Sequence, residues 1–377
     1  MTAGHTVTPN PRLTTEQAAQ VALRHWGVVG SVTDVGSLED QNLRLTGADG
    51  AFFVLKVAAA GTPGERLTMQ SAAMRHFAAR AEAILGPVPL AADDGRDVVA
   101  DGGWTARLLT WVDGTLLSDG PLGNRRPQEA LGAFAARVTK AMADFEHPGL
   151  DVPSTWDVCR SRVVVESLAG AMEPSRRELA LACLAGFDAV VASTGDLPAQ
   201  AAHTDVTDVN VVAAPGGRWP APVGVLDFGD TVRTVRVADV VGTALCVAER
   251  PDVLDPLAGV AAVLTGYVRV LPLEEKEIDS VWPLLLARAA VNLAMCNAQT
   301  AATADNDYAR EELERAAGGV PGPARRASAG RHAARGGRVQ PRAQRACGRR
   351  GSHCRVPGPG ARTGPQREPH PRPECRQ

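Results

Sequence analysis

Two short apolar runs, VNVVAA at residues 209–214 and PVGVLDF at 222–228, are separated by PGGRWPA, and no other stretch constrains this chain as tightly. Both runs are rich in β-branched residues and the connector is dense in Gly and Pro, so the segment reads as a β-hairpin. Polar groups sit at the open end of that hairpin. His203, Asp205 and Asn210 lie in HTDVTDVN at its entry, and Asp227-Phe228-Gly229-Asp230 lies at its exit, Asp227 coming seventeen residues after Asn210. A hairpin therefore brings Asp205 and Asn210 up to Asp227 from one side, with the residues between Asp205 and Asn210 folded into a compact loop.

That grouping fits one chemistry. An Asp, an Asn five residues on and a second Asp after an apolar strand are what kinase-type phosphoryl transfer requires. Asp205 would accept the proton of an attacking hydroxyl, while Asn210 and Asp227 would hold Mg²⁺ against nucleotide phosphates. Singly these residues are unremarkable, since an Asp at a strand end is usually a cap or a turn residue. In combination, and in this order, they are specific.

The upstream half supplies a matching cation. Lys56 stands in the middle of AFFVLKVAA and is the only lysine among the first 139 residues. A lysine within a buried strand is costly unless its ammonium meets an anion, and in kinases the α and β phosphates of the nucleotide supply it. The next segment, GERLTMQSAAMRHFAARA, places Leu67, Gln70, Met74 and Phe77 at spacings of three and four, which predicts an amphipathic helix. Further on, PQEALGAFAARVTKAMADF repeats this period through Leu131, Phe134, Val138 and Phe145.

The HxDxxxxN and DFGD motifs together resemble the aminoglycoside phosphotransferase and choline kinase superfamily, the small-molecule relatives of protein kinases. Within it, LEDQNLRL, FFVLKVA, RLLTWVDG and GVLDFGDTVRTVRVADV are most similar to the hydroxylysine kinase branch, including kinase domains fused to class III aminotransferases. The resemblance covers roughly residues 12 to 317. It implies an α+β, bilobal, protein-kinase-like fold: a small β-rich nucleotide-binding lobe at 12–112 and a larger, mostly helical catalytic and acceptor-binding lobe at 113–317. It also implies a phosphotransferase with an alcohol acceptor, using Mg²⁺ and ATP or GTP, and acting on a small amine-bearing metabolite such as a hydroxylysine. An aminoglycoside acceptor is the alternative, and a noncatalytic nucleotide-binding remnant of a longer fused protein is a third reading.

Several residues take roles from the resemblance alone. In GSLEDQNLRL, where a full Gly-rich loop is lacking, Ser37, Asp40, Gln41 and Asn42 would stand over the phosphates. Gln70 occupies the place of the acid that pairs the phosphate-binding lysine, with Glu65 a turn earlier as a substitute. Thr110, Trp111 and Val112 would offer hinge backbone groups to the nucleobase, with the Trp111 ring packing the hinge. His203 would pack beneath the DFG segment, Thr204 replaces the usual Gly of HGD, and Asp239 would fix the catalytic loop. Asp208, Asp230, Trp156 and Asp157 would wall the acceptor site and attract a cationic amine.

Cys159, Cys183, Cys246 and Cys296 are isolated on apolar segments and read as small core residues. Cys347 and Cys354 lack a partner pair, so no zinc site is expected. No basic start followed by an apolar run opens the chain, and no segment is expected to reach the length of a membrane span, which makes a cytoplasmic location the expectation. Residues 321–377 hold fourteen Arg, no Lys, two Glu and no Asp. They contain no Leu, Ile, Met, Phe, Tyr or Trp, a composition that cannot bury enough apolar surface to fold. An arginine-rich tail invites nucleic-acid contacts, but Arg, Gly, Pro and Ala together are also what GC-rich DNA encodes out of frame. Residues 318–377 are therefore expected to be a disordered tail, a frameshift product rather than a nucleic-acid module.

Overall fold

The computed structural model describes residues 12–36, 40–217, 219–302, and 310, 313, 314 and 316. Ser37 and the Arg-rich tail, with Cys347 and Cys354, lie outside the described residues.

The chain opens with helix α1 (Thr15–Trp26), started by a capping box in which Thr14 and Gln17 bond each other's backbone and ended at Gly27 in the left-handed region. Six strands follow: β1 (Gly30–Asp34), β2 (Gln41–Gly47), β3 (Phe52–Val57), β4 (Pro89–Leu90), β5 (Val99–Asp101) and β6 (Trp104–Thr110). They form one antiparallel sheet in the order β1-β2-β3-β6-β4, with β5 also on β6. The two-residue period divides it cleanly. Leu43, Leu45, Leu55, Val57, Ala106 and Leu108 face α1 and form the small lobe's core with Ala18, Val21 and Ala22. Asn42, Val54, Lys56, Arg107 and Leu109 point to the other face, which is one wall of a cleft.

Between β3 and β4 runs α2 (Gly64–Arg80), the helix anticipated from the apolar spacing. Leu67, Gln70, Met74 and Phe77 are all buried, as their period requires. This helix belongs energetically to the larger lobe. Met69, Met74 and Phe77 join that lobe's core, and the Phe77 ring meets Phe228 edge-on at 5.2 Å. Leu85 adds two backbone bonds, to Val223 and Val225, that tie the small lobe to the hairpin.

The chain crosses between lobes after Thr110 and at once adds β7 (Thr115–Leu116) to the hairpin β9 (Val211–Ala214) and β10 (Ala221–Val225). Gly114 permits that close approach, because a Cβ there would stand 2.2 Å from Val212 Cγ1. The rest of the larger lobe is helical: α3 (Arg125–Ala141), α4 (Ser161–Leu168), α5 (Pro174–Cys183), α6 (Phe187–Ser193), α7 (Ala238–Ala248), α8 (Pro256–Val270) and α9 (Glu275–Ala302). A two-stranded ribbon, β8 (Ala199–Ala202) with β11 (Val232–Val235), flanks the catalytic segment. The fold is thus α+β and bilobal.

Two expectations need correction. Helix α3 stops at Ala141, and Phe145 is buried in the following turn against His76 rather than on the helix. Residues 275–301 are long and apolar enough, by length and composition, to cross a membrane. The apolarity has a local cause, since 78% of an eighteen-residue apolar window within this stretch is buried and α9 packs against α4, α5 and α7. Cys159, Cys183, Cys246 and Cys296 form no disulfide among the described residues, and the last three are buried.

Candidate active site

A cleft of about 920 Å³ lies between the sheet wall and the hairpin, and Lys56, Asp205, Asn210 and Asp227 all line it. The hairpin register explains the convergence. Leu226 N–H bonds the Asn210 carbonyl, so the residues just outside β9 and β10 are neighbours and their side chains emerge together.

Asp227 caps a single 3₁₀ turn, Phe228–Asp230, in the left-handed conformation (φ 53°), and its Oδ1 accepts from Gly229 N–H. The same oxygen takes the Lys56 ammonium at 2.6 Å. Burial works against ionisation of this carboxyl, but Lys56 and the Gly229 amide override it and hold the pKa at about 2. Burial likewise opposes the Lys56 charge, and Asp227 and Asp40 together outweigh it and raise the ammonium's pKa.

Asp40, expected only to stand over the phosphates, is the second acid at Lys56. Its Oδ2 lies 3.4 Å from Lys56 Nζ, while its Oδ1 accepts from Ala59 N–H just past β3. The lysine's second acid therefore comes from the turn before β2, not from α2. Gln70 does not reach Lys56; it donates to the Gly229 carbonyl at 3.0 Å, beside Arg66, which donates to the same oxygen at 2.7 Å. Glu65 is exposed at the first turn of α2, where a dipole partner is all its position supports.

The catalytic loop is held from behind. His203 is buried; its Nε2 donates to the Leu226 carbonyl and its Nδ1 accepts from Asp205 N–H, which fixes the tautomer. Burial, with Lys56 adding a smaller push, lowers its pKa despite nearby Asp239, so the ring is neutral and stacks edge-on against Phe228 at 4.7 Å. Thr204 adopts φ 65°, a conformation a β-branched residue rarely takes. Its amide donates to Asp239 Oδ1 at 2.7 Å and its hydroxyl to the Asp230 carbonyl at 3.0 Å, so two bonds hold the strained residue in place. Asp239 is fully buried away from the cleft, and Thr139, itself bonded by the Tyr267 hydroxyl, donates to its other oxygen.

Asp205 projects from this loop into the cleft. Burial raises its pKa, and Arg288, 3.6 Å from Oδ1, pulls the other way. Asn210 Nδ2 donates to Asp205 Oδ2 at 2.5 Å. Asn210 Oδ1 and Asp227 Oδ2 make no protein hydrogen bond among the described residues, which leaves two hard oxygen donors free for a cation.

The remaining expected residues divide. Asn42 lines the cleft opposite Lys56, with its Oδ1 buried and unpartnered. Trp111 and Val112 line it too, and the Trp111 ring packs 6.0 Å from Phe52. Thr110 lines the cleft as well, but its amide is not open to a nucleobase: it donates to the Val88 carbonyl while its hydroxyl accepts from Val88 N–H, a reciprocal pairing that locks the strand end, and that part of the expectation is corrected. Asp157 is likewise corrected, because it caps the turn at Val158–Arg160 and accepts from Thr234 Oγ1. Asp208 sits in the cleft floor only 1% exposed, and its carboxylate is engaged by Arg250, which also binds the Ser118 and Gly120 carbonyls. Asp230 and Trp156 do line the cleft. Arg288 was missed altogether: it comes from α9, far along the chain, stacks 4.5 Å over Trp156 and donates to the Trp156 carbonyl.

Residues 31–273 match the model of the phosphotransferase enzyme family (APH). Hydroxylysine kinase of mouse is 24% identical over 313 residues, covering 76% of this chain and 82% of the relative. Among solved structures, a microcompartment-associated aminopropanol kinase aligns with a TM-score of 0.59 at 17% identity, over 83% of this chain and 97% of the other. An amicoumacin kinase in complex with AMP-PNP and Ca²⁺ aligns with a TM-score of 0.56 at 15% identity, over 78% and 91%. With the family model spanning well over half the chain and the fold shared, this protein belongs to the APH phosphotransferase enzyme family and is a small-molecule kinase acting on hydroxyl groups.

Proposed function

We propose that the protein transfers the γ-phosphoryl group of ATP or GTP to a hydroxyl of a small metabolite bearing an amine, of the hydroxylysine type, with Mg²⁺ as the cation. One observation carries this reading: Lys56 paired to Asp227 and Asp205 bonded to Asn210 stand in one cleft. Asp205 is the proposed base, and burial raises its carboxyl's pKa while Arg288 lowers it. Lys56 is the proposed phosphate clamp. Asp227 Oδ2 and Asn210 Oδ1 suit Mg²⁺, which prefers hard oxygens and completes its shell with water and phosphate. Among the described residues no three His, Cys, Asp or Glu side chains converge on a metal position. The cation would therefore arrive with the nucleotide, neutralising charge on the transferring group.

The acceptor is narrowed by charge. Asp208 and Asp157 are engaged elsewhere, and the charge nearest Asp205 on the acceptor side is the Arg288 guanidinium over Trp156. A zwitterionic hydroxy amino acid meets that arrangement better than a polycationic aminoglycoside, because its carboxylate suits Arg288, and Asp230 lines the same cleft. The relative named hydroxylysine kinase agrees with this choice. Nucleoside diphosphate release, followed with ATP and GTP separately over a panel of hydroxylated amino acids, amino alcohols and aminoglycosides, tests it. Turnover with an aminoglycoside and none with hydroxy amino acids would overturn the acceptor class.

A further inference from the structure

Three strands present one row of side chains to the cleft. Asn42 on β2 is opposite Lys56 on β3, and Lys56 is opposite Arg107 on β6. Lys56 has two carboxylates. Arg107 has none: it is 2% exposed, among the largest fully buried side chains of the protein, and among the described residues it makes no hydrogen bond or ion pair. Its guanidinium nonetheless lines the cleft.

A buried guanidinium carries five N–H donors and cannot lose its charge, so leaving it unpaired is expensive. The apolar neighbours do not need it, since Ala106 and Leu108 flank it on the same strand and a Leu or Met would fill that position. A second cation repeats the pattern. Arg66 on α2 also lines the cleft, and although its Nη2 bonds the Gly229 carbonyl, its Nη1 is buried without a partner. The Arg107 side chain from β6 and the unpartnered Arg66 donor from α2 thus both line the cleft that holds Lys56.

We infer that Arg107 is an anion site for the polyphosphate of the phosphoryl donor, a second clamp beside Lys56, with Arg66 Nη1 at its edge. This rests on the reading of the cleft as a nucleotide site and adds a residue to it. The guanidinium offers bidentate bonds to phosphate oxygens that an ammonium cannot make. Asp40 and Asp227 attract Arg107 but do not pair with it, so they keep the cationic pocket from being over-charged when the donor is absent.

The test compares wild type, Arg107→Met and Arg107→Lys in calorimetric titrations with ADP, pyrophosphate and adenosine, alongside thermal melts of the ligand-free proteins. Losing charge-assisted bonds to one anion should weaken ADP and pyrophosphate binding in Arg107→Met by on the order of 10- to 100-fold. Adenosine affinity should be unchanged, and Arg107→Lys should recover part of the loss. The ligand-free Arg107→Met protein should melt no lower than wild type, because a buried unpaired charge has been removed. A purely structural arginine would give the reverse, a lower melting temperature with ADP affinity kept, and that overturns the inference. Equal weakening of adenosine and ADP would also overturn it, as a change of pocket shape. Wild type binding none of these ligands would overturn the nucleotide reading itself, whereas wild-type binding matched by Arg107→Met overturns this inference alone.

Discussion

Asp239 touches nothing in the cleft, yet its loss should disable the enzyme. Its Oδ1 receives the Thr204 amide at 2.7 Å and its Oδ2 the Thr139 hydroxyl at 2.8 Å, all in the core. Thr204 is held at φ 65°, a conformation costing about 1–3 kcal/mol that persists only while its surroundings enforce it. In Asp239→Ala the Thr204 amide is left buried and unsatisfied, which costs about 1–3 kcal/mol. Thr139 loses less, because its hydroxyl can turn wholly to the Ala135 carbonyl at 3.0 Å. Burial also raises the Asp239 carboxyl's pKa, so removing it relieves some desolvation. The net loss of stability should be about 2 kcal/mol, measured by urea denaturation. The larger effect should be on rate. Thr204 precedes Asp205, and relaxation of the loop by about 1 Å would lower kcat on the order of 10²-fold. Nucleotide affinity, read by titration, should barely change. Asp239→Asn keeps an acceptor for Thr204 and should retain most of the rate. Wild-type kcat in Asp239→Ala, or equal losses in kcat and nucleotide affinity, would refute the view that Asp239 acts by holding the loop.

Asp205→Asn should lower kcat by roughly 10²–10⁴ with nucleotide affinity little changed; equal losses in both would place Asp205 in binding. Asp227→Ala should abolish Mg²⁺-dependent turnover while circular dichroism stays native, and Lys56→Ala should weaken nucleotide binding; wild-type turnover in either variant refutes the site. Asp40→Asn should leave Lys56 with one carboxylate and raise the KM for nucleotide several-fold, and no change would show that Asp40 serves only to cap Ala59. Stability should fall with acid in two windows. His203 has a depressed folded pKa, so its contribution is present above an unfolded value of about 6.5 and fades as pH drops below it. Asp227, depressed to about 2, contributes above about 4 and loses that contribution between about 4 and 2. Asp205 and Asp239, raised by burial, push the other way as pH falls, so each window is read as the difference in denaturation midpoint between wild type and His203→Gln or Asp227→Asn, and differences constant from pH 7 to 3 would contradict both.

Much of this was legible in the sequence because it depends on short-range rules. The β9–β10 hairpin follows from β-branched runs and a Gly/Pro connector, and a hairpin carries Asp205, Asn210 and Asp227 to one end whatever surrounds it. The period of α2 told which of its faces is buried. What the sequence did not determine are pairings between elements remote in the chain. Gln70 in the place of an acid on α2 said that Lys56 lacked its usual partner, but only the packing of the turn before β2 against β3 showed Asp40 taking that place. Arg288 stands eighty-three residues after Asp205 on a helix whose apolar composition hides it, and it meets Asp205 because α9 runs through the core of the larger lobe. Asp157 and Asp208 are indistinguishable in sequence from acids that face a ligand. Burial and partners, Thr234 for one and Arg250 for the other, decide what a carboxylate can do, and both are properties of the folded chain.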